Sequence, residues 1–289
     1  MTFEEMGYKP KEELREKKIL APSEEELAQA RREYLEWQRS TPNRFSFWFP
    51  KIQSAQNSVV RLPSSRVVPV PEELLDAFFM DRPEQDEKDI RQWVHTALMP
   101  AIEEIPGPKW FLKNGCFSGK LCFRSACLLD TDDEEKVLDH VMAIQGDSLM
   151  YETNGNLEMV VREFVDAPEG TPEIYSGMPL RPEVRLFYDF DNHKVLYHVF
   201  YWDWDYCHEL ICARAEDQAV YEAEYDNVRA QYERLTSKHL DAISSALATV
   251  TDLEGVWSVD FILEEDRVWL IDMATAETSA YWNPEKCSE

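Results

Sequence analysis

VWSVDFILEEDRVWLIDMA (256–274) places two runs of valine, isoleucine, leucine, phenylalanine and tryptophan on either side of a polar turn, and each run carries one aspartate, Asp260 and Asp272. That composition predicts a β-hairpin. A single acid in such a strand reads most simply as solvent-facing. Two together read differently: if the turn centres on Asp266, positions 260 and 272 lie directly opposite one another, on one face. Their carboxylates would then offer hard oxygen ligands to Mg²⁺. A two-residue turn at Glu265–Asp266 would instead pair 260 with 271 and, without a bulge, send the carboxylates to opposite faces.

Upstream, EVRLFYDF (183–190) and KVLYHVFYW (194–202) flank Asp191–Asn192–His193 and predict a second hairpin. Glu183 and Arg185 are two apart and share a face. They form either a same-face salt bridge of little energetic weight or the setting for an arginine fork suited to a phosphate. Further upstream, WFLKNGCFSGK (110–120) sets Lys113 and Lys120 around a glycine-bearing loop. The loop reads equally as a solvated hairpin tip or as an anion site, with glycines admitting backbone N–H groups and lysines supplying charge. It is not a P-loop: only Cys116, Phe117 and Ser118 separate its glycines, and Leu121 follows Lys120.

The whole chain makes those cations informative. It has 289 residues, 56 acidic against 30 basic, and a formal net charge of −26. That balance argues against nucleic-acid binding, which depends on neutralising phosphates. No apolar run is long enough to span a bilayer, and MTFEEMGYKPKEELREKK (1–18) lacks the apolar core of a secretory signal, so the expectation is a cytoplasmic protein without a membrane partner. The six cysteines form no CxxC pair, as suits reduced thiols. Cys207, His208 and Cys212 lie close together, but a zinc site needs a fourth ligand, and they read as core residues.

The remaining elements follow from periodicity and breakers. Ser23 and Glu26 form a capping box ahead of a helix carrying Leu27, Ala30, Tyr34 and Leu35. FSFWFPKI (45–52) and SSRVVPVP (64–71) look extended. Helices are expected over 72–80 and 86–103, the latter with Ile90, Trp93, Val94, Leu98 and Ile102 on one side. A helix over 132–146, a strand in EMVVREFV (158–165), a loop over 167–182 and a helix over 216–249 complete the pattern. Helices alternating with antiparallel hairpins indicate an α+β fold.

In this order, lysine loop, MVVREFV, RPEVRLFYDF, VDFIL and VWLID resemble the ATP-grasp superfamily over about residues 106–280. The chain is most similar to the bacterial and phage clade named for an arginine and two lysines. A related group is the eukaryotic cell-division-cycle assembly factor for the translation-initiation GTPase. The resemblance implies two α+β lobes clamping a nucleotide: residues 106–166 as the first and 167–289 as the second, behind a helical arm and small pre-ATP-grasp lobe at 1–105. It implies ATP and Mg²⁺ as cofactors, with Lys113 and Lys120 on the phosphates and Arg162, Glu163, Phe164 and Val165 as the adenine hinge. Arg185 would stabilise the transferring group, and Asp260 and Asp272 would hold the metal. Many members end the metal hairpin with acid, any residue, asparagine. Here Ala274 stands in the last place, so either Glu277 or the Thr275 hydroxyl substitutes or a second metal is bound weakly, and Glu277 reads equally as an ordinary surface acid. The implied activity joins a small-molecule or peptide carboxylate to an amine; its rival is an ATP-binding assembly chaperone or adaptor that performs no ligation.

Overall fold

The capping box forms. In a computed structural model that describes residues 23–78, 84–150 and 156–287, the Ser23 N–H and hydroxyl both donate to Glu26 Oε2 (2.7 and 2.8 Å), and the Glu26 N–H returns a bond to Ser23 Oγ. Two orphan donors are thereby satisfied at the start of α1 (Glu24–Ser40). The chain divides after Ser40, and the second unit, from Thr41 on, is an α+β structure built on two main sheets.

One sheet has the order β1-β11-β10-β8-β9, from β1 (Val60–Arg61), β8 (Glu183–Asp189), β9 (Lys194–Phe200), β10 (Val256–Leu263) and β11 (Val268–Thr275). Only β1 runs parallel to its neighbour. The other sheet is antiparallel, in the order β2-β5-β3-β4, from β2 (Ser65–Pro69), β3 (Trp110–Asn114), β4 (Leu128–Leu129) and β5 (Glu158–Glu163). Pro69 ends an edge strand, where a missing N–H is tolerated. Residues 60–69, expected in a small leading lobe, thus supply a strand to each sheet. A short ribbon of β6 (Glu173–Ile174) and β7 (Met178–Pro179) occupies the expected loop.

Helices cover both sheets with apolar stripes at helical spacing. On α5 (Glu134–Met150) the stripe is Val137, Val141 and Ile144; on α7 (Ala215–Leu247) it includes Tyr221, Val228, Tyr232, Leu235 and Ile243. Tyr232 packs on Phe200, with ring centroids 5.0 Å apart, and its hydroxyl bonds His198 Nδ1 at 2.8 Å. The helix expected over 86–103 forms as α3 (Glu84–Trp93) and α4 (Met99–Glu104), joined by a π turn over Val94–Leu98. Pro100 has no N–H to give and the Met99 N–H reaches back to Val94 O, so the wider turn absorbs the proline without breaking the helix. No helix among the described residues is long and apolar enough to cross a membrane.

Two expectations fail locally. Within 72–80, the described residues form two 3₁₀ turns, Glu72–Leu74 and Asp76–Phe78, rather than one helix. Leu74, Leu75, Ala77 and Phe78 are all buried, so the apolar spacing that suggests a helix is packed away by tighter turns instead. FSFWFPKI is not extended: α2 (Phe45–Trp48) and a 3₁₀ turn (Lys51–Ser54) replace the expected strand. Tertiary packing overrides β propensity here. The helical turn buries Phe45 and Trp48 together, three residues apart, and stacks Phe45 on Phe49 at 4.4 Å.

Phe45 is fully buried. Phe45→Ala should therefore lower the unfolding free energy by about 3–5 kcal/mol, read from the urea midpoint at unchanged slope. An unmoved midpoint would show that this turn is not part of the cooperative core.

Candidate functional site

The closing hairpin uses the two-residue turn, not one centred on Asp266. Leu263 pairs with Val268, Glu264 N–H donates to Arg267 O at 2.9 Å, and Phe261 pairs with Leu270. That register alone would oppose Asp260 to residue 271. A bulge intervenes: Ile271 has no partner on β10, and Asp260 pairs with Asp272. The extra residue returns both carboxylates to one side, and both line the same cavity. Ile271 also leaves its carbonyl to another group, Arg162 Nη1 on β5, which donates to it at 2.6 Å.

Arg185 is opposite Asp260 on β8, so Arg185, Asp260 and Asp272 form one row across three strands. The Arg185 Nε and Nη2 donate to the two Asp260 oxygens at 2.8 and 2.7 Å, a bidentate fork. From the other sheet, Lys113 Nζ donates to Asp272 Oδ1 at 2.9 Å. Lys113 is 3% exposed, whereas the Asp272 side chain is 44% open on the cavity side. Burial works to raise the Asp272 carboxyl, but Lys113, with Arg162 and Arg185 beyond it, outweighs burial and holds it below its ordinary range.

Lys120 closes another wall, its ammonium bonded to the Tyr201 hydroxyl and 4.5 Å from that ring's centre. The Arg185 guanidinium lies 5.1 Å from the same ring. Phe111, Phe164, Val165, Met178 and Ile262 give the same cavity an apolar lining. Arg181, two residues before β8, donates to Val165 O at 2.9 Å and Asp166 O at 3.2 Å. Hard oxygen donors at Asp260 and Asp272, beside lysines that would meet phosphate, are a donor set that fits Mg²⁺.

Lys113, Lys120, Arg162, Glu163, Phe164, Val165, Asp260 and Asp272 all line this cavity. Arg185 does not, and reaches it through the Asp260 carboxylate it grips. Arg162 presents its side chain as well as its backbone: the guanidinium is buried between the Phe45 and Phe111 rings, each 5.7 Å away, and its Nε has no hydrogen-bond partner. Glu163 turns a carboxylate oxygen to the Ser64 N–H. Glu277 is not with the aspartates. A 3₁₀ turn at Ala276–Thr278 carries it, exposed, to a different cavity beside Phe47, Lys51 and Trp257. Thr275 Oγ1 is engaged by Thr278 Oγ1 at 3.1 Å. The loop glycine Gly115 serves packing, since a Cβ there would lie 2.3 Å from Glu158 Oε1.

Sequence reasoning missed Tyr201, one aromatic within KVLYHVFYW (194–202), and undervalued Glu183. The carboxylate of Glu183 is not gripped by Arg185, which takes Asp260 instead. Glu183 is 5% exposed and lines the cavity; burial pushes its carboxyl up to about 7 against the opposing pull of Arg181 and Lys120. A folded-state value above the ordinary one means that the native state keeps this proton longer than the unfolded chain. Its contribution is present at low pH and is lost as pH rises through about 7. Glu183→Gln should therefore gain on wild type by up to about 3 kcal/mol between pH 4 and 8, in denaturant titrations at each pH. Parallel stability curves would place an ordinary carboxylate at 183.

No protein-family model and no curated protein matches this chain. Similar solved structures include Cdc123 from Schizosaccharomyces pombe, at 17% identity and TM-score 0.45, over 83% of this chain and 86% of that one. A C-terminally truncated form of the same protein gives 16% identity and TM-score 0.47, over 86% and 88%. D-alanine–D-alanine ligase from Bacillus anthracis complexed with ATP is similar at 9% identity and TM-score 0.31, over 82% of this chain and 55% of that one. Likenesses this loose assign neither a family nor an activity.

Proposed function

We propose that this chain is an ATP-grasp protein that binds Mg²⁺–ATP between its two sheets and uses it to join a carboxylate to an amine. The observation that carries the reading is one cavity lined both by apolar side chains and by Lys113, Lys120 and the opposed pair Asp260 and Asp272. In a chain of net charge −26, cations gathered in such a cavity have an anionic, ring-bearing ligand as their natural occupant.

In this reading the adenine lies against Phe111, Phe164 and Ile262, and the phosphates meet Lys113 and Lys120. Arg185 fixes the rotamer of Asp260 through its fork, making it a positioning residue. Mg²⁺, held by Asp260 and Asp272, would neutralise charge on the phosphates. A substrate carboxylate oxygen attacks the γ-phosphorus, the bond to the β–γ bridging oxygen breaks, and ADP departs with that electron pair. An amine then attacks the acyl carbon, inorganic phosphate leaves, and the amine loses a proton to solvent. The chain's own share is positioning and charge stabilisation: Lys120, backed by the Tyr201 hydroxyl, and Lys113 stand where negative charge moves.

Ala274 favours a second reading. It has no donor to give a metal, and Glu277 is turned away, so two carboxylates alone would serve the ion. A site of that kind suits a protein in which nucleotide shapes a binding surface and no ligation follows, an assembly chaperone or adaptor.

Lys113→Ala should weaken Mg²⁺–ATP binding by about 1.5–3 kcal/mol in calorimetry, with the circular-dichroism spectrum unchanged. Equal affinity would remove Lys113 from the nucleotide site. Hydroxylamine separates the two readings, since it intercepts acyl-phosphates as hydroxamates. With ATP, Mg²⁺ and pooled small and peptide carboxylates, a ligase gives hydroxamate in wild type and little in Asp272→Asn. Tight ATP binding with no carboxylate-dependent ADP release would support the adaptor.

A further inference from the structure

After β9 the chain turns into α6 (Trp204–Ile211), capped by the Asp203 side chain, which accepts from the Asp205 N–H. Cys212 follows as C-cap, its N–H bonded to His208 O at 2.8 Å. His208 and Cys212 are four residues apart, so their side chains leave one face one turn apart. Glu222, on the opening turns of α7, faces them. The imidazole, thiol and carboxylate ligand atoms all lie within 4.8 Å of one another.

The grouping differs from the one the sequence suggests. Cys207 is elsewhere, its Sγ 3.4 Å from both Tyr201 O and the Tyr281 hydroxyl. Its place in the group is taken by Glu222 on the next helix. Two of the three ligands are held in place by neighbours. The Trp204 ring packs on His208 with centroids 4.4 Å apart, and Gln218 Nε2 donates to Glu222 Oε1 at 2.7 Å. Outer partners of this kind orient the ligands of a metal and tune them.

We propose that His208, Cys212 and Glu222 bind a divalent transition-metal ion, Zn²⁺ by preference, with water as the fourth ligand, clamping α6 to α7. A mixed sulfur, nitrogen and oxygen set suits Zn²⁺, whereas the all-oxygen pair Asp260 and Asp272 suits Mg²⁺. Tetrahedral ligation at ~2.0–2.3 Å needs ligand atoms about 3.3–3.8 Å apart, inside the 4.8 Å limit within which the three lie. Binding converts the Cys212 thiol to thiolate and releases its proton to solvent. The site stands apart from the nucleotide reading and does not depend on it.

The test is to strip the full chain with EDTA, saturate it with Mg²⁺ to occupy the aspartates, and titrate with Co²⁺ as a spectroscopic stand-in. One equivalent should bring up a thiolate-to-cobalt charge-transfer band that Zn²⁺ then abolishes. Cys212→Ser should remove the band. Glu222→Ala, at an exposed position, leaves folding intact and should weaken binding at least about tenfold. The apparent melting temperature should rise with Zn²⁺ in wild type and not in Cys212→Ser. Absence of the band would show that no thiolate binds the ion, and a band equally strong and tight in Glu222→Ala or Cys212→Ser would place the ion elsewhere; either result would overturn the proposal.

Discussion

The bulge at Ile271 is the constraint from which the cavity follows. A strand pair has a side-chain period of two, so one surplus residue changes the facing of everything beyond it. Without it, the turn at Glu265–Asp266 would put Asp272 on the wrong side of the sheet; with it, Asp260 and Asp272 stand side by side. The surplus residue also leaves a carbonyl outside the β10–β11 ladder, and Arg162 from the other sheet takes it. One irregularity thus aligns the carboxylates and ties the sheets together where they meet.

Around that tie the charges are arranged in alternation. Arg185 grips Asp260, Lys113 grips Asp272, and Lys120 leans on a neutral phenol. A buried ion pair contributes little net stability, because desolvation offsets much of the attraction. Arg185 keeps Asp260 in place, whereas the Lys113–Asp272 pair is the one an incoming ligand would open. A polyanion entering with a divalent cation would exchange partners: phosphate for Asp272 at Lys113, metal for Lys113 at Asp272. Pairing of this kind lets a chain of net charge −26 hold several cations in one place.

Much of this was legible because it rests on residue type and spacing. Asp260 and Asp272 announce themselves by interrupting apolar strands, Lys113 likewise, and Ser23 with Glu26 fixes a helix start by local bonding alone. The rest depends on contacts remote in sequence. Nothing in IDMA distinguishes a bulged strand from a regular one, because the device is completed by Arg162, 109 residues upstream of Ile271. FSFWFPKI has strand composition but a helical place to fill. Tyr201 is one aromatic among many until Lys120 reaches it, and Glu222 gains meaning only when α7 folds back on α6.

The most direct measurement is a crystal structure with a non-hydrolysable ATP analogue and Mn²⁺ in place of Mg²⁺, recorded at the manganese absorption edge. The account predicts the base against Phe111 and Phe164, the phosphates against Lys113 and Lys120, and an anomalous peak touching both Asp260 and Asp272, with Lys113 Nζ released from Asp272. Nucleotide density outside this cavity, or an anomalous peak remote from both aspartates with the Lys113–Asp272 pair intact, would contradict it.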